Sequence, residues 1–350
     1  MRVGILTASR TNNNGTDLQC AAMYKLFTRA GAQAEVIDYA CTKLDRSRKL
    51  LLKFSPSQII RLPWQIFQNI SRKHFRKRSF VKSPSTYYPD TLKLDRYDAV
   101  VVGSDQIWNL KITGGDVNFF LPPHTGNIRR YSYAASLGKT DISDWEDKYG
   151  LSQLLKGFSG VSTREASGVE ALRAIGVEAR EDLDPILCMT NDEWAQLAKP
   201  VTRKKKYVLI YIVEKCPEAI EAAKAYAKRN GCKIIRVGNI NKPLRGIRTR
   251  SFLSVGKWIG LMRGAQVVFT NSYHGLSTAI ALNTNFRLFS LVDPKHNTRS
   301  LCLLKKLGLE QYAWLSDECR SDGTPEWTRT EQTLALLRER SMEYIQSMLQ

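Results

Sequence analysis

The sequence predicts an α/β protein built as two halves, each around a parallel sheet. Three observations carry that expectation. Short apolar runs alternate with helical patterns along most of the chain. The alternation halts near the middle and then restarts. One run, residues 99–103 (Ala-Val-Val-Val-Gly), is almost continuously apolar, as expected of a strand buried on both faces of a helix-covered sheet.

The elements follow in order. In the first half, residues 2–8 read as a strand, 17–29 as a helix with apolar positions at helical spacing, and 35–39 as a second strand. Residues 99–103 are the buried strand, 158–162 a further strand, and 166–175 the helix after it. In the second half, 207–213 is a strand, 217–230 a helix ending before Gly231, and 233–237 a strand. Residues 266–270 then read as a strand, 275–282 as a helix and 287–291 as a last strand. Right-handed crossovers would put helices on both faces of each sheet.

At roughly 100–200 residues per domain, 350 residues suggest two domains. Asp184-Pro185 closes the first half. A short helical pattern around Trp194 and the run Thr202-Arg203-Lys204-Lys205-Lys206 read as a connection. The expected division is therefore an N-terminal domain at 1–190, a linker at 191–206, a second domain at 207–330 and an amphipathic C-terminal helix at 331–350. No solenoid repeat or low-complexity tract interrupts it.

Composition narrows the function classes. Hydrophobic residues are 43% and charged residues 25% of the chain, which is ordinary for a globular protein and excludes global disorder. Lys plus Arg is 53 against 33 for Asp plus Glu, a formal net charge of +20. Such a field favours nucleic acid, an anionic membrane or phosphorylated substrates. No recognised nucleic-acid motif is present, and aromatic and basic residues interleave only in residues 43–82, so nucleic acid is not the expected partner. The seven cysteines form no CxxC pair and read as reduced thiols. The opening Met1-Arg2-Val3-Gly4-Ile5-Leu6 lacks the apolar core and cleavage site of a signal peptide. No stretch reaches the roughly 18–20 apolar residues of a membrane span. The expectation is a cytoplasmic protein, with room for peripheral contact at the inner membrane face.

Residues 43–82 break the α/β rhythm. They are basic and carry Leu50, Leu51, Leu52, Phe54, Ile59, Ile60, Trp64, Ile66, Phe67, Ile70 and Phe75, followed by Arg72-Lys73-His74-Phe75-Arg76-Lys77-Arg78. Two readings stand. The segment is a helical insertion packed on its own domain, or an interfacial helix that docks on anionic lipid.

Four blocks carry chemistry. In Thr270-Asn271-Ser272-Tyr273-His274-Gly275-Leu276 a strand ends, a polar turn follows and a helix begins. Ligands gather at carboxyl ends of parallel strands. Here hydroxyl, amide, imidazole and helix N-terminal N–H groups can hold an anion and move a proton. Alternatively, Ser272 only caps the helix and His274 is a satisfied loop histidine. In Val161-Ser162-Thr163-Arg164-Glu165 an arginine stands at a helix start, against the dipole. It binds an anionic ligand, or it forms an Arg–Glu surface pair worth little.

In Val101–Asn109 a buried strand empties into a loop with Asp105, Gln106 and Trp108. Such groups bind and stack on sugars, or Asp105 caps a turn while Trp108 anchors the loop. The turn Arg10-Thr11-Asn12-Asn13-Asn14-Gly15-Thr16-Asp17 lies where α/β folds receive ligand, but is neither GxGxxG nor GxxxxGK[ST]. His74, His124 and His296 have no partner pattern. Without HExxH, GxSxG or a credible carboxylate pair, no metal is expected.

Together these blocks resemble the polysaccharide pyruvyl transferase family. The matching pieces are Asn14-Gly15 with Leu18-Gln19, the Val-Val-Gly-Ser-Asp-Gln-Ile-Trp-Asn run ending at Asn109, Tyr133-Ala134-Ala135-Ser136-Leu137-Gly138, Ser162-Thr163-Arg164-Glu165, Asp184-Pro185, and residues 270–275. Gly15-Thr16-Asp17 departs from the small or apolar residues frequent in the family, and residues 43–82 fit its pattern poorly. The resemblance implies a GT-B-like fold of two Rossmann-type domains, with parallel sheets facing a cleft. It also implies transfer of pyruvate from phosphoenolpyruvate, a co-substrate rather than a cofactor, to sugar hydroxyls. The product would be a ketal on a cell-surface polysaccharide or its lipid-linked precursor.

By motif match His274 takes acid/base duty and Arg164 holds phosphoenolpyruvate, with Asn271, Ser272 and Gly275 around the donor. Asn14, Gly15, Asp105, Gln106 and Trp108 are expected on the acceptor side. The chemistry suits these residue types. A histidine shuttles protons near neutral pH, and fixed positive charge stabilises departing phosphate. Two rivals stand beside this reading: a GT-B glycosyltransferase using a nucleotide sugar, and a non-enzymatic basic protein that binds membrane or nucleic acid.

Overall fold

The computed structural model describes residues 1–45, 56–122, 128–201, 205–238, 247–293, 297–315 and 321–350, with side chains from Leu62 onward in the helix that opens at Pro56. His124, His296, Cys319 and the Arg203-Lys204 part of the basic run lie outside these residues, as do Leu50, Leu51, Leu52 and Phe54.

The first sheet has seven strands: β1 (Arg2–Leu6), β2 (Gln33–Tyr39), β3 (Lys82–Tyr87), β4 (Ala99–Asp105), β5 (Arg129–Ala135), β6 (Ser162–Thr163) and β7 (Arg180–Glu181). Their order is β3-β2-β1-β4-β5-β6-β7, and every pairing is parallel. Ile5 faces Val36 on one side and Val101 on the other. That central position explains why the Val100-Val101-Val102 run is wholly buried. Burying each such side chain contributes about 1.5–3 kcal/mol. Helix α1 (Asn14–Arg29) packs on β1, β2 and β4.

The second sheet has five parallel strands: β8 (Tyr207–Tyr211), β9 (Lys233–Val237), β10 (Arg248–Arg250), β11 (Val268–Thr270) and β12 (Phe286–Leu288). Their order is β10-β9-β8-β11-β12. Helix Pro217–Arg229 lays Ala219, Ala223 and Ala227 against Val208, Ile210 and Phe269. Residues four apart share one helix face, so three small side chains let the helix sit close.

Both sheets reverse their strand order once, between β1 and β4 in the first and between β8 and β11 in the second. Each reversal leaves a crevice at the carboxyl ends of two neighbouring strands, where ligands of doubly wound sheets bind.

Compactness divides the chain into two units. The first holds Met1–Leu62, Lys73–Cys188 and Leu336–Gln350; the second holds Pro63–Arg72 and Met189–Ala335. The stretch expected as linker starts as a capped helix, Asn191–Leu197, with a reciprocal Thr190–Glu193 capping box. Asn191 Nδ2 also donates to Leu282 O at 3.0 Å, inside the second unit. The C-terminal helix, Trp327–Met348, begins earlier than its apolar period suggests. Its last turns serve the first unit: the Tyr344 hydroxyl donates to Ser132 O at 3.2 Å, and Ile345 and Met348 are buried.

Four strands go beyond the sequence expectation. β3 contains Pro84 and sits at the sheet edge, where a missing N–H costs no ladder bond. β5 reads Arg-Arg-Tyr-Ser-Tyr-Ala-Ala, too polar to stand out as a buried strand. β7 and β10 span two and three residues. Of the strand expected at 158–162 only Ser162 lies in β6, which runs on to Thr163, and Gly160 makes an isolated bridge to Tyr131.

The basic insertion is a helix, α2 (Pro56–Ser79), followed by β3. Phe75 and Phe80 are buried. Cys20, Cys41, Cys188, Cys216, Cys232 and Cys302 are free thiols. Among the described residues, no helix is long and apolar enough to cross a membrane.

Candidate active site

The expected site residues fall into two groups, one on the carboxyl edge of each sheet. In the first unit, Asn13 caps α1, accepting from Gly15 N at 2.9 Å. The helix therefore starts at Asn14, three residues before the expected start. Asn14 is half-buried and Gly15 is buried. Thr16 Oγ1 donates to Asp105 Oδ2 at 3.0 Å, so the opening turn and the β4 loop meet at the strand reversal. Asp105 adopts φ 73°, a left-handed conformation uncommon outside glycine. Its other oxygen accepts from Gln106 N at 2.8 Å. Gln106 Oε1 accepts from Asn109 Nδ2 at 3.0 Å. Asp105 and Gln106 are both half-buried.

Trp108 is a correction. Its side chain is 0% exposed, it donates to Phe119 O at 2.8 Å, and its ring stacks on Phe120 at 5.3 Å. It anchors the loop in the core and offers no face to a sugar. An indole's large apolar area makes burial the stronger demand once its N–H finds a carbonyl.

Arg164 precedes Glu165, the N-cap of helix Ala166–Ala174. Its Nη1 donates to Asp184 Oδ2 at 2.9 Å, and its Nε is 3.6 Å from Glu165 Oε2. The Arg164 side chain is 1% exposed and that of Asp184 0%. The pair is thus buried, not the surface Arg–Glu contact of the alternative reading, and Asp184 is the nearer carboxylate. Glu165 Oε1 also accepts from Ser136 Oγ at 2.7 Å, which ties the β5 and β6 blocks together. Sequence reasoning missed Arg76, which donates from Nε to Asp17 at 2.6 Å and from Nη2 to Thr11 O at 2.6 Å. No local signal marks that pairing, because 59 positions separate Arg76 from Asp17.

In the second unit, Thr270 pairs in register with Tyr211 at the ends of β11 and β8. Asn271 Oδ1 accepts from Val213 N at 2.9 Å, and its Nδ2 donates to Glu214 O at 3.2 Å, so this amide stitches the two strand ends. Ser272 Oγ accepts from Gly275 N at 3.3 Å and caps helix Tyr273–Ala281, as one reading of the sequence expects. His274 is the second residue of that helix and is 7% exposed. Its ring meets Tyr273 edge-on at 5.9 Å. At Gly275 a Cβ would come within 2.5 Å of Thr270 Oγ1 and 2.8 Å of Tyr211 Cδ1, so any side chain would force the cluster apart. Burial pushes the Tyr211 phenol above its ordinary value, opposed by the charge of Arg72 and a hydrogen bond with Ser272. Ser272 and Gly275 thus lie against Tyr211, with Asn271 and His274 beside them in the same segment. This arrangement can present an imidazole and hydroxyls at a strand reversal. No group of three metal-ligating side chains gathers among the described residues.

Comparison with known proteins fits this geometry. The profile of the polysaccharide pyruvyl transferase family matches residues 13–293. Among solved structures, a protein from Listeria monocytogenes described as a UDP-N-acetylglucosamine 2-epimerase aligns at 12% identity over 99% of this chain and 90% of that one, with a TM-score of 0.51. The UDP-GlcNAc 2-epimerase of Neisseria meningitidis, bound to UDP-GlcNAc, aligns at 12% identity over 99% and 94%, with a TM-score of 0.50. No curated protein matches the sequence. At this identity the structural likeness speaks for fold alone: two parallel α/β units of the GT-B-like class. Within that class, the chain belongs to the polysaccharide pyruvyl transferase family, whose members imply a transferase acting on polysaccharide.

Proposed function

We propose that this protein transfers pyruvate from phosphoenolpyruvate to two hydroxyls of a saccharide, on a polysaccharide or its lipid-linked precursor, forming a cyclic ketal. The observation that carries the reading is the placing of His274. Within a chain of this family, the histidine sits buried beside the strand reversal of the second sheet, on the first turn of a capped helix. In this mechanism His274, protonated, gives its proton to the methylene carbon of phosphoenolpyruvate. The adjacent carbon becomes oxocarbenium-like and is attacked by a sugar hydroxyl, whose proton returns to the imidazole. Phosphate departs with the C–O bonding pair, and a second hydroxyl adds, losing its proton to close the ketal. Asn271 and Ser272 hold the loop and the helix start in place.

The donor-holding role that the family resemblance gives Arg164 would require its guanidinium to be shared with Asp184. The buried ion pair instead supports a positioning role, fixing the first unit's loops. Asn14, Gly15, Asp105 and Gln106 are the acceptor-side residues of this proposal, joined by the Thr16–Asp105 hydrogen bond. Peripheral contact with an anionic membrane also belongs to it. On α2, Ile66 and Ile70 are exposed four residues apart, and exposed Lys73, Lys77 and Arg78 follow. An apolar edge beside basic residues suits anionic headgroups. Replacing Ile66 and Ile70 with serine should weaken flotation with phosphatidylserine vesicles; unchanged flotation would remove the membrane from the proposal.

The donor test is ligand-dependent melting. Phosphoenolpyruvate should raise the melting temperature, and incubation with a saccharide acceptor should release phosphate and yield a ketal. Stabilisation by UDP-sugars alone, with sugar transfer to the acceptor, would replace this reading with nucleotide-sugar glycosyl transfer. The family match gives a non-enzymatic basic binder no support.

A further inference from the structure

The turn between β1 and α1 is closed by one side chain of the basic insertion. Arg76, on the part of α2 that belongs to the first unit, donates from Nε to Asp17 Oδ1 at 2.6 Å and from Nη2 to Thr11 O at 2.6 Å. Nε–H and Nη2–H leave the same edge of the planar guanidinium, nearly parallel. Their two acceptors therefore lie side by side, although Thr11 opens the turn and Asp17 stands in the first turn of α1. The Arg76 side chain is 16% exposed and that of Asp17 1%. The contact is held largely out of water, where charge-assisted bonds are strong. Phe75 beside Arg76, and Phe80 just past the end of α2, are buried and fix the helix at this point.

Between the two clamped points lie Asn14 and Gly15, and Thr16, whose hydroxyl donates to Asp105 Oδ2 at 3.0 Å. The chain enters the turn already fixed, since Arg10 bonds Asp38 at 3.0 Å and Asp45 at 3.1 Å. Within the turn, Asn13 Oδ1 accepts from Gly15 N at 2.9 Å, which starts the helix but does not set the path that leads to it. Compensating the buried charge of Asp17 would need only a cation. The second bond, to the Thr11 carbonyl, is what sets the path.

We propose that Arg76 is a positioning residue of the acceptor side. Its guanidinium sets the width of the Thr11–Asp17 turn, and so presents Asn14 and Gly15 to the saccharide and Thr16 to Asp105. The proposal rests on the acceptor assignment above and deepens it, giving the basic insertion a part in acceptor recognition without a direct contact to the sugar.

The test compares the full-length wild type with Arg76→Lys, Arg76→Gln and a control, Arg173→Gln, which removes an exposed arginine of the same unit. Amide hydrogen exchange is read across residues 11–17. Steady-state kinetics are read with phosphoenolpyruvate and the methyl glycosides of glucose, galactose, mannose and N-acetylglucosamine. Lysine keeps a charge for Asp17 but offers a point contact instead of a fork, so Arg76→Lys should melt close to the wild type. Its turn should exchange about tenfold faster. KM for the best glycoside should rise about tenfold, while kcat and the KM for phosphoenolpyruvate hold. Arg76→Gln should show the same split with a lower melting temperature, and Arg173→Gln should match the wild type throughout. Wild-type exchange in Arg76→Lys overturns the clamp, whatever the activity. Faster exchange with an unchanged glycoside KM overturns its role in acceptor binding. A raised KM for phosphoenolpyruvate instead overturns the acceptor assignment of the turn and leaves the pyruvyl reading standing. If no glycoside yields a ketal, exchange is repeated with each glycoside present. Protection of residues 11–17 in the wild type but not in Arg76→Lys then keeps the proposal and moves the failure to the pyruvyl reading; no protection overturns the proposal.

Discussion

The two strand reversals of this protein are built from different materials. On the first sheet's edge, charge meets charge: Arg164 with Asp184, Arg76 with Asp17, and Arg10 with Asp38 and Asp45. Thr16 and Asp105 bridge the two strands that flank the reversal. On the second sheet's edge, the neutral amide of Asn271 and hydroxyl of Ser272 secure the backbone beside an imidazole and a phenol. An edge whose cations are already compensated is stiff and has little field left for an anion. In the function proposed above, the second edge carries the donor chemistry and the first edge the acceptor.

The strongest way to break this contrast is at His274. His274→Ala should cut ketal formation by about 10²–10⁴-fold while moving the melting temperature little, as read by phosphate release and product analysis. A variant with near-full transfer would remove the histidine from the chemistry. Next is Arg164→Ala. It strands Asp184 as a buried charge and should cost about 3–5 kcal/mol of stability, measured by denaturant midpoint, yet leave phosphoenolpyruvate protection in place. The opposite pattern, stability kept and protection lost, would move the donor to the first edge.

A smaller effect is expected at Gly275. A methyl there meets Thr270 and Tyr211 at 2.5 and 2.8 Å, so Gly275→Ala should destabilise by about 1–3 kcal/mol and weaken donor binding through the displaced phenol. Binding at wild-type strength would show that Tyr211's position is not critical.

The smallest is a pH effect on the first edge. Burial works to raise the Asp38 carboxyl, but hydrogen bonding and charge from Lys82, with help from Thr86 and Arg10, hold it below its ordinary 3.8. A carboxyl depressed in the folded state stabilises above its unfolded value and loses that contribution as pH falls through the folded one. Wild type should therefore lose more stability than Asp38→Asn as pH drops below 3.8, in urea melts across the acid range. Parallel curves would show that this ion cluster contributes nothing to the edge.

How far the sequence reached differs between elements. The strand at residues 233–237 and the helix at 217–230 were legible because apolar period and the Gly231 stop are local features. β3 and β5 were not, since polar residues in a strand reveal it only when neighbours are known. Asn271, Ser272, His274 and Gly275 could be grouped from sequence because they are adjacent in the chain. Trp108 was open between sugar stacking and core packing, and only its stacking on Phe120 decided it.

By itself, then, the sequence determined what is written locally: two runs of strand–helix alternation, the polar turns that follow each central strand, the basic character of the insertion, and a family resemblance carried by short ordered motifs. Tertiary structure decided which charges and polar groups meet. Asp184 lies 20 positions from Arg164, and Gln68 finds its carbonyl 183 positions away. Electrostatic and hydrogen-bonding energies depend on distance in space and on burial, and neither is a function of separation along the chain.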